Sequence, residues 1–396
     1  MTKYNKLLSL QFLYFVLLIA ISCATININN SVAEVNSRGA KPQNVILFIG
    51  DGMGLDQVFS AVANTYGQQL DEQGEPRKLS FEEFPVYGYI TTFSANSFVT
   101  DSAAAGTALA CGVKTDNGVL GMDINKQPVQ STAEIAKQKG KAVGIISSVG
   151  LNHATPAAFY AHVDGRGSYD EIIEQFFQNQ TADILIGGGI YGDAWTTDTL
   201  KARAAETGYT VINCSNIDEF NPDRLKGKKV FGYFDVNNNK QLDYEATRSP
   251  DNPEPHLSDL VVTSLQLLSH DRDGFFLMVE SGSIDWACHG NKALESDGEV
   301  MELHKTVQRT VEFLRKKNLL HKTLIVVTAD HETGGMGLNG PYKKILLPDD
   351  TPEIGWTSTN HTAANVLVWA IGPGSALFSG KHDNTSIHHN MVSLMK

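Results

Sequence analysis

The sequence predicts an α/β fold in three layers, in which a doubly wound, mostly parallel central sheet carries helices on both faces. Three observations predict it. Continuous apolar runs, typical of strands that are buried on both faces, recur along the chain. Capped helical patterns lie between these runs. Most of the runs lead directly into Asp, His, Thr or Glu, at the strand ends where open parallel sheets place their ligands.

The amino-terminal residues 1–23 are predicted to be a signal peptide or a lipoprotein signal. Lys3 and Lys6 precede a mostly apolar run, as in an export signal. A retained membrane anchor is the alternative, because the run approaches spanning length. The segment Ile19–Cys23 also resembles a bacterial lipoprotein processing site, which would leave Cys23 lipidated. We therefore expect an exported protein that is periplasmic, secreted or anchored to a membrane as a lipoprotein.

The remaining chain is predicted to consist of a flexible tether, residues 24–42, and one catalytic domain, residues 43–396. The formal net charge of −12 over 396 residues argues against a nucleic acid partner, because binding a phosphate backbone needs a basic surface. Three cysteines remain after Cys23, so at most one disulfide can form and buried free thiols are expected. His388 and His389 are predicted to be a solvated pair.

The predicted strands follow one another at intervals, and most of them lead into a polar residue. The first run ends in a glycine-rich turn that projects Asp51, and later runs lead to His153, Thr155, Glu280, Asp330 and His331. The runs are Asn44–Ile49, Lys141–Ile146, Ala182–Ile186, Phe275–Val279, Thr323–Thr328 and Val366–Ile371.

Three helices have clear sequence signals. Ser131 and Glu134 form a capping box that opens a helix, and Gly140 can end it. Apolar residues from Leu303 to Leu314 lie on one face of a helix that runs to about Lys317. The third begins near Ser102, continues through small residues and closes at Gly112.

Ser102 is the most informative residue of that third helix. A hydroxyl at a helix amino terminus lies among unpaired backbone N–H groups and near the positive end of the helix dipole. Such a place suits an anion, above all a phosphate. The alternative is that Ser102 only caps the helix.

Several further residues are of types that hold divalent metal ions. Asp285 and His289 are four positions apart and share one face if the segment is helical. Asp330-His331 follows a buried strand, and Asn360-His361-Thr362 precedes another. Each taken singly is also explained as a strand-end cap or a satisfied histidine. Together with Asp51 they provide enough oxygen and nitrogen ligands for two divalent ions.

These motifs resemble those of the alkaline phosphatase family, from about Asn44 to the carboxyl terminus. A chance match to all of them in the right order is implausible. The motifs are Gly50–Gly54, Thr100–Ala108, His153–Ala158 with Ala161–Val163 and Arg166, Val279–Asp285, Thr328–Glu332 and Asn360–Thr362.

The resemblance implies a role for each matched position. Ser102 would be the nucleophile that becomes a phosphoserine, and Arg166 would bind two phosphate oxygens. Two zinc ions and one magnesium ion would be bound, and small phosphate monoesters would be the substrates. The implied ligands are Asp285, His289 and His361 for one zinc, Asp51, Asp330 and His331 for the other, and Asp51, Thr155 and Glu280, with His153 alongside, for magnesium.

The sequence departs from the best-known bacterial member of the family at two positions. His153 stands in place of an aspartate near the magnesium, and Trp286 in place of a lysine. The stretch between His331 and His361 is short, which predicts a compact form without the crown-like insertion of larger relatives. Homodimers are usual in the family, although the sequence carries no interface signal.

Two other functions are alternatives to phosphate monoester hydrolysis. One is another hydrolase of the same superfamily, such as a phosphodiesterase or a sulfatase. The sequence after Ser102 lacks the Pro and Arg of a sulfatase motif, and diesterases commonly lack the proposed arginine and third metal site. The other is a metal- or phosphate-binding surface protein without catalysis, for which no nucleophile would be needed.

Overall fold

The computed structural model describes residues 41–340 and 352–396. The predicted signal, and the tether apart from residues 41 and 42, lie outside these residues. Within them, no helix is long and apolar enough to cross a membrane. The α-helices are α1 Leu55–Tyr66, α2 Ser102–Cys111, α3 Thr132–Gln138, α4 Ala154–Ala157, α5 Tyr169–Asn179, α6 Thr197–Glu206, α7 Pro222–Leu225, α8 Leu257–Leu268, α9 Ser283–His289, α10 Ala293–Lys316 and α11 Thr385–Leu394.

The strands are β1 Asn44–Gly50, β2 Val86–Thr91, β3 Ala142–Ser147, β4 Ile184–Gly187, β5 Tyr209–Ile212, β6 Lys229–Tyr233, β7 Phe275–Ser281, β8 Thr323–Ala329, β9 Glu332–Thr333, β10 Met336–Gly340, β11 Glu353–Trp356, β12 His361–Thr362, β13 Val366–Ile371 and β14 Gly380–Asp383. Ten of them form the central sheet, in the order β14-β2-β13-β8-β1-β7-β3-β4-β6-β5. Among these ten, only β13 runs antiparallel to the others. Two small antiparallel pairs, β10 with β11 and β9 with β12, lie outside the central sheet.

Helices form two groups on the central strands. Helices α8 and α10 contact each other and pack on β7, and α1 packs against α10. Helices α2, α3, α4 and α11 form the second group, in which α3 and α4 also contact β3 and β7. The central strands β1, β7 and β8 are buried along their whole length, as strands covered on both faces must be. The predicted three-layer, mostly parallel α/β fold is confirmed.

Parallel alignment of the central strands brings their carboxyl ends to one edge of the sheet. Gly50 of β1 pairs with Ser281 of β7 and with Ala329 of β8, and Ser147 of β3 pairs with Glu280. The residues that follow these positions therefore meet at this edge. The site is built there.

Several local predictions can be compared with the structure. Helix α2 closes at Gly112, which adopts a left-handed conformation, and the Ser131–Glu134 capping box is present. Asp101 rather than Ser102 caps α2, since its side chain accepts a hydrogen bond from the backbone N–H of Ala104. Cys111, Cys214 and Cys288 are free thiols.

The prediction for the His388-His389 pair is wrong for His388. Its ring is buried, and Nδ1 lies 2.6 Å from the carbonyl oxygen of Ala110. His388 lies on α11, which packs against α2. Two adjacent histidines looked like surface residues because the sequence does not show that α11 covers the end of α2.

Candidate active site

Ser102 is the first residue of helix α2 and is 1% exposed. Its Oγ lies 3.2 Å from Nε2 of His331. Small residues allow α2 to approach the site closely, since a Cβ on Gly106 would lie 3.3 Å from that of Ala158. The hydroxyl is therefore held at a helix amino terminus, next to a histidine of a potential metal site.

The inner cluster consists of Asp51, Asp330 and His331, which follow strands β1 and β8. Ligand atoms of all three lie within 4.8 Å of one another. Nε2 of His331 is 3.4 Å from Oδ1 of Asp51 and 3.3 Å from Oδ2 of Asp330. Neither of these carboxylate oxygens has a hydrogen-bond partner. Buried, unpaired carboxylate oxygens facing an imidazole nitrogen are what a divalent cation requires.

Burial gives the inner cluster abnormal acidities. It raises the pKa of Asp51 well above its usual value, and the neighbouring carboxylates raise it further. Burial also raises the pKa of Asp330 to about 8, and it lowers the pKa of His331 well below the usual value. Burial and mutual repulsion therefore disfavour the ionised carboxylates when they stand alone, and a bound cation would offset the negative charge that these carboxylates carry when ionised.

Gly52 explains why the turn after β1 is rich in glycine. Its φ of +72° is in the left-handed region, and an added Cβ would lie 2.9 Å from the Cα of Asp285. The tight turn brings Asp51 to the base of the site, and the N–H of Gly52 donates to Oδ1 of Asp330 at 3.2 Å.

The outer cluster consists of Asp285 and His289 on α9 and His361 on β12. Nε2 of His289 lies 3.3 Å from Oδ2 of Asp285, and Nε2 of His361 lies 3.5 Å from Oδ1 of the same carboxylate. The two histidine Nε2 atoms are 3.2 Å apart. The ring of His361 also stacks on that of His331, with centroids 3.6 Å apart, so the inner and outer clusters adjoin.

Backbone carbonyl groups orient both histidines of the outer cluster. Nδ1 of His289 lies 2.6 Å from the carbonyl oxygen of Thr359, and Nδ1 of His361 lies 2.8 Å from that of Thr100. Each Nδ1–H donates to its carbonyl, so in the neutral rings both Nε2 lone pairs converge near Asp285. Hydrogen bonding to Asp285 raises the pKa of His289 to about 9, because that carboxylate favours positive charge here. A cation between the three groups satisfies them together.

A third cluster combines Asp51 and Glu280 with Thr155 and His153. The hydroxyl of Thr155 donates to Oδ2 of Asp51 at 3.3 Å, and ligand atoms of Asp51, His153 and Glu280 lie within 4.8 Å of one another. Oε1 of Glu280 and Nδ1 of His153 have no hydrogen-bond partner. Burial raises the pKa of Glu280 to about 7. The donor set is mostly oxygen, which suits magnesium.

His153 has two roles that exclude each other in its neutral form. Nη2 of Arg166 lies 2.9 Å from Nε2 of His153. Arginine can only donate, so Nε2 must carry the lone pair and Nδ1 the proton. That tautomer has no lone pair to offer a metal ion. Burial, followed by Arg166, lowers the pKa of His153 to about 3, so the ring is neutral near pH 7.

Arg166 lies at the rim of the site, about one-quarter exposed. Nη1 donates to Oδ2 of Asp101 at 3.0 Å, while Nη2 is held by His153. Asp101 is the cap of α2 and the neighbour of Ser102, so the guanidinium is held beside the serine. A planar guanidinium in this place can bind two oxygens of one phosphate.

The sequence analysis assigned no role to Glu332, which follows His331 and is the first residue of β9. Its Oε1 accepts from Nε2 of Gln57 at 2.9 Å and from the N–H of Met336 at 3.3 Å. Oε2 accepts from the N–H of Gly335 and from the hydroxyl of Thr362. Through Thr362, Glu332 therefore joins β9, which follows His331, to β12, which carries His361. The only signal was its place in the Thr328–Glu332 motif.

The chain is similar to known proteins over most of its length. The family model described as alkaline phosphatase matches residues 42–351 and 349–396. Alkaline phosphatase 4 of Bacillus subtilis is 31% identical, over 90% of this chain and 89% of its own length. These matches cover nearly all of the residues that form the fold and the site.

Solved structures of two alkaline phosphatases have a similar fold. The cold-active enzyme of a psychrophilic Shewanella species is 28% identical, with a TM-score of 0.77 over 89% of this chain and all of that one. A histidine-to-glutamate mutant of TAB5 alkaline phosphatase, with magnesium bound in its M3 site, is also 28% identical. Its TM-score is 0.74 over 90% of this chain and 98% of that one.

Proposed function

The chain belongs to the alkaline phosphatase family and hydrolyses phosphate monoesters with divalent metal ions, and we propose that Ser102 is its nucleophile. One observation carries this proposal. The Ser102 hydroxyl lies at the start of α2, 3.2 Å from Nε2 of His331, and the inner and outer clusters adjoin at His331 and His361. Its oxygen can therefore reach a phosphorus atom held between the clusters and Arg166.

The proposed reaction has two displacements at phosphorus. Oγ of Ser102 attacks, the Oγ–P bond forms, and the bond to the alcohol oxygen breaks with its electron pair. The alcohol leaves with a proton. Water then attacks the phosphoserine, the Oγ–P bond breaks, and inorganic phosphate leaves while Ser102 regains its proton.

Arg166 binds and orients the phosphoryl group in this proposal. Asp101 and His153 hold the guanidinium in place before substrate arrives. Less freedom is then lost on binding. Asp101 and His153 use only two of the five N–H donors of the guanidinium. The other donors remain for phosphate oxygens.

We assign two zinc ions to the inner and outer clusters and one magnesium ion to the third cluster. Carboxylate and imidazole are the donors zinc takes, and the orphaned oxygens of Asp51, Asp330 and Glu280 fit bound cations. Such ions stabilise negative charge on attacking and leaving oxygens and lower the pKa of a bound hydroxyl or water. Asp51, Thr155 and Glu280 supply the oxygen ligands of the magnesium ion, with His153 beside them.

Export and a homodimer complete the proposal. The charged and apolar amino terminus supports export to the periplasm or the medium, and Cys23 supports a lipid anchor. A dimer rests on the family resemblance. Replacing Cys23 with serine tests the anchor, because the enzyme should then move from the membrane fraction to the soluble fraction.

Trapping the phosphorylated enzyme tests the role of Ser102. After rapid acid quenching of enzyme mixed with a labelled monoester, we expect label on Ser102 by peptide mass spectrometry. Ser102→Ala should lose the label and nearly all turnover, with a residual rate from the remaining site. Ser97→Ala, which changes a serine outside the clusters, should keep both. Label on any other residue would refute the assignment.

A further inference from the structure

A basic cleft lies at the amino-terminal ends of the central strands, opposite the active site. It has a volume of about 560 Å³, and six of its lining residues are cationic: Lys41, Lys139, Lys141, Arg272, Lys322 and Lys396. His321 also lines it, and Asp273 is the one acidic residue among the described residues that do. This concentration of positive charge stands out in a chain whose net charge is −12.

The charges of the cleft are not neutralised by ion pairs. Within residues 41–340 and 352–396, none of these six cations lies within 4.0 Å of a carboxylate oxygen of another residue, whereas Lys114, Lys137 and Arg203 elsewhere do. Nζ of Lys141 donates to the backbone carbonyl oxygens of Gln43 and Asp273. The other five cationic residues are exposed. The cleft can therefore attract anions from solution.

The cleft also lies where the amino-terminal segment joins the domain. Lys41, the first described residue, lines it. Residues 24–40 can span at most about 60 Å even when fully extended. An anchor on Cys23 would therefore keep Lys41, and the cleft around it, close to the surface that holds the anchor.

We propose that this basic cleft binds the anionic phosphate headgroups of a membrane and orients the enzyme on it. The inference rests on the proposed export and anchoring of the chain. It also fixes the direction of the active site. The seven residues of β1 separate the cleft from the turn at Asp51 by about 20 Å. With the cleft on the membrane, the metal clusters face the surrounding solution, where soluble monoesters arrive.

Vesicle binding by the enzyme without its acyl group tests the cleft separately from the anchor. The full chain with Cys23→Ser is exported, purified with its metals and mixed with vesicles of phosphatidylcholine, or of phosphatidylcholine with one-third phosphatidylglycerol. We expect at least a fivefold preference for the anionic vesicles at low salt, and loss of this preference at high salt. Equal binding to both vesicles would overturn the proposal.

Charge-reversal variants locate the binding surface. Lys139→Glu, Arg272→Glu and Lys322→Glu together should abolish the preference for anionic vesicles. The matched variant Lys78→Glu, Lys201→Glu and Lys381→Glu reverses three exposed lysines elsewhere and should keep most of it. Loss in both variants would mean that total charge, rather than the cleft, decides binding, and would also overturn the proposal.

Two further measurements separate this inference from the enzymatic function. Both triple variants should hydrolyse p-nitrophenyl phosphate as the parent does, since neither changes the active site. If the Cys23→Ser parent binds anionic vesicles but does not hydrolyse p-nitrophenyl phosphate, the proposed catalytic function fails but the cleft does not. Inorganic phosphate at 1 mM should not displace the vesicles; displacement would instead identify a site for free phosphate. Vesicle-bound enzyme should keep its full turnover, and its loss would contradict the proposed orientation.

Discussion

The inner and outer clusters use similar ligands but are held in different ways. The side chains of Asp51, Asp330 and His331 are fully buried, and two of their carboxylate oxygens have no partner in the protein. In the outer cluster, the side chain of His289 is 39% exposed and both rings are oriented by backbone carbonyl groups. The inner cluster thus needs its cation for charge balance. The outer cluster is pre-organised and open to substrate.

Metal removal should distinguish the two clusters and have the largest effect. We expect a chelator to take the metal of the outer cluster first, because His289 is exposed, and to take the inner metal more slowly. Turnover should fall below detection in the first phase, because the substrate then loses its contact with the metal ion of the outer cluster. Stopped-flow chelation with an indicator dye, beside an activity assay, measures both rates.

The control for metal removal is re-addition of zinc with magnesium, which should restore turnover. A single phase of metal loss, or a loss of activity that follows only the slow phase, would contradict the predicted difference between the two clusters. Full activity in metal-free enzyme would contradict the use of metal ions altogether.

The buried carboxyl groups of the inner and third clusters should make the metal-free protein less stable as the pH rises. Burial raises the pKa of Asp330 to about 8 and that of Glu280 to about 7, above the 4 to 4.5 of an unfolded chain. Each group is then protonated more readily in the folded state than in the unfolded one. The free energy of unfolding should fall as the pH rises from about 4 to about 8. Thermal unfolding across this range measures the slope.

Bound metal and a single substitution should both reduce that slope. The metal-loaded enzyme keeps its carboxylates ionised at little cost, so its stability should vary less with pH. Asp297 and Glu299 have pKa values raised to about 7 and 8, but they lie on α10 outside the clusters and contribute equally in both forms. Asp330→Asn should flatten the metal-free curve. If Asp330→Asn leaves the pH dependence of the free energy of unfolding unchanged, Asp330 is not the group that causes it.

The sequence predicted the sheet and the order of the site motifs more fully than it predicted the contacts that join them. Strands β1, β7 and β8 were readable because burial on both faces demands continuous apolar runs. Only the family resemblance implied that His361 lies beside Asp285. Local pattern does not predict this position, because it depends on two-residue strands that pair residues 332–333 with 361–362. Such short pairing has no periodic signal.

Side chains that connect elements were missed for the same reason. The four hydrogen bonds of Glu332 reach Gln57, the turn at Gly335 and Met336, and Thr362. Gln57 and Thr362 are distant from Glu332 in the sequence, and Gly335 and Met336 belong to an irregular turn. His388 was misjudged because its burial depends on α11 packing against α2. Local pattern predicts an element, whereas only the assembled fold shows what covers it.

Glu332 should affect the outer cluster through Thr362 and the strand of His361. Glu332→Gln keeps the shape of the side chain but replaces one acceptor oxygen with a donor, so two of its four hydrogen bonds are lost. We expect the outer metal to be held about tenfold less tightly, in line with other residues that orient metal ligands. Competition with a zinc chelator measures this affinity directly. The slow, inner phase of metal loss should change little.

The control for Glu332→Gln is Glu312→Gln, which makes the same change at an exposed position on α10. Excess zinc should rescue the turnover of Glu332→Gln, because the ligands themselves remain. If unchanged outer-metal affinity accompanies a lower melting temperature, Glu332 contributes only to stability.

The smallest effect is expected from Trp286, which lies between the outer cluster and the third cluster. Its ring meets that of His153 edge to face, with centroids 5.6 Å apart, and Nε2 of His153 in turn accepts from Arg166. Trp286 thus packs against the residue that holds Arg166, but it brings no charge. Trp286→Lys would add a cation near the product. We expect inorganic phosphate to inhibit this variant several-fold more strongly, and kcat to fall where product release limits turnover. Trp286→Phe, which keeps an aromatic ring, should leave inhibition close to that of the parent. The inhibition constant for phosphate decides the question: an unchanged value in Trp286→Lys would show that a cation at this position does not reach the bound phosphate.

His153→Asp provides the matching test on the other side of the ring contact. It removes the acceptor of Arg166 and adds an oxygen ligand, so it should lower the concentration of magnesium needed for full activity while weakening the hold on Arg166.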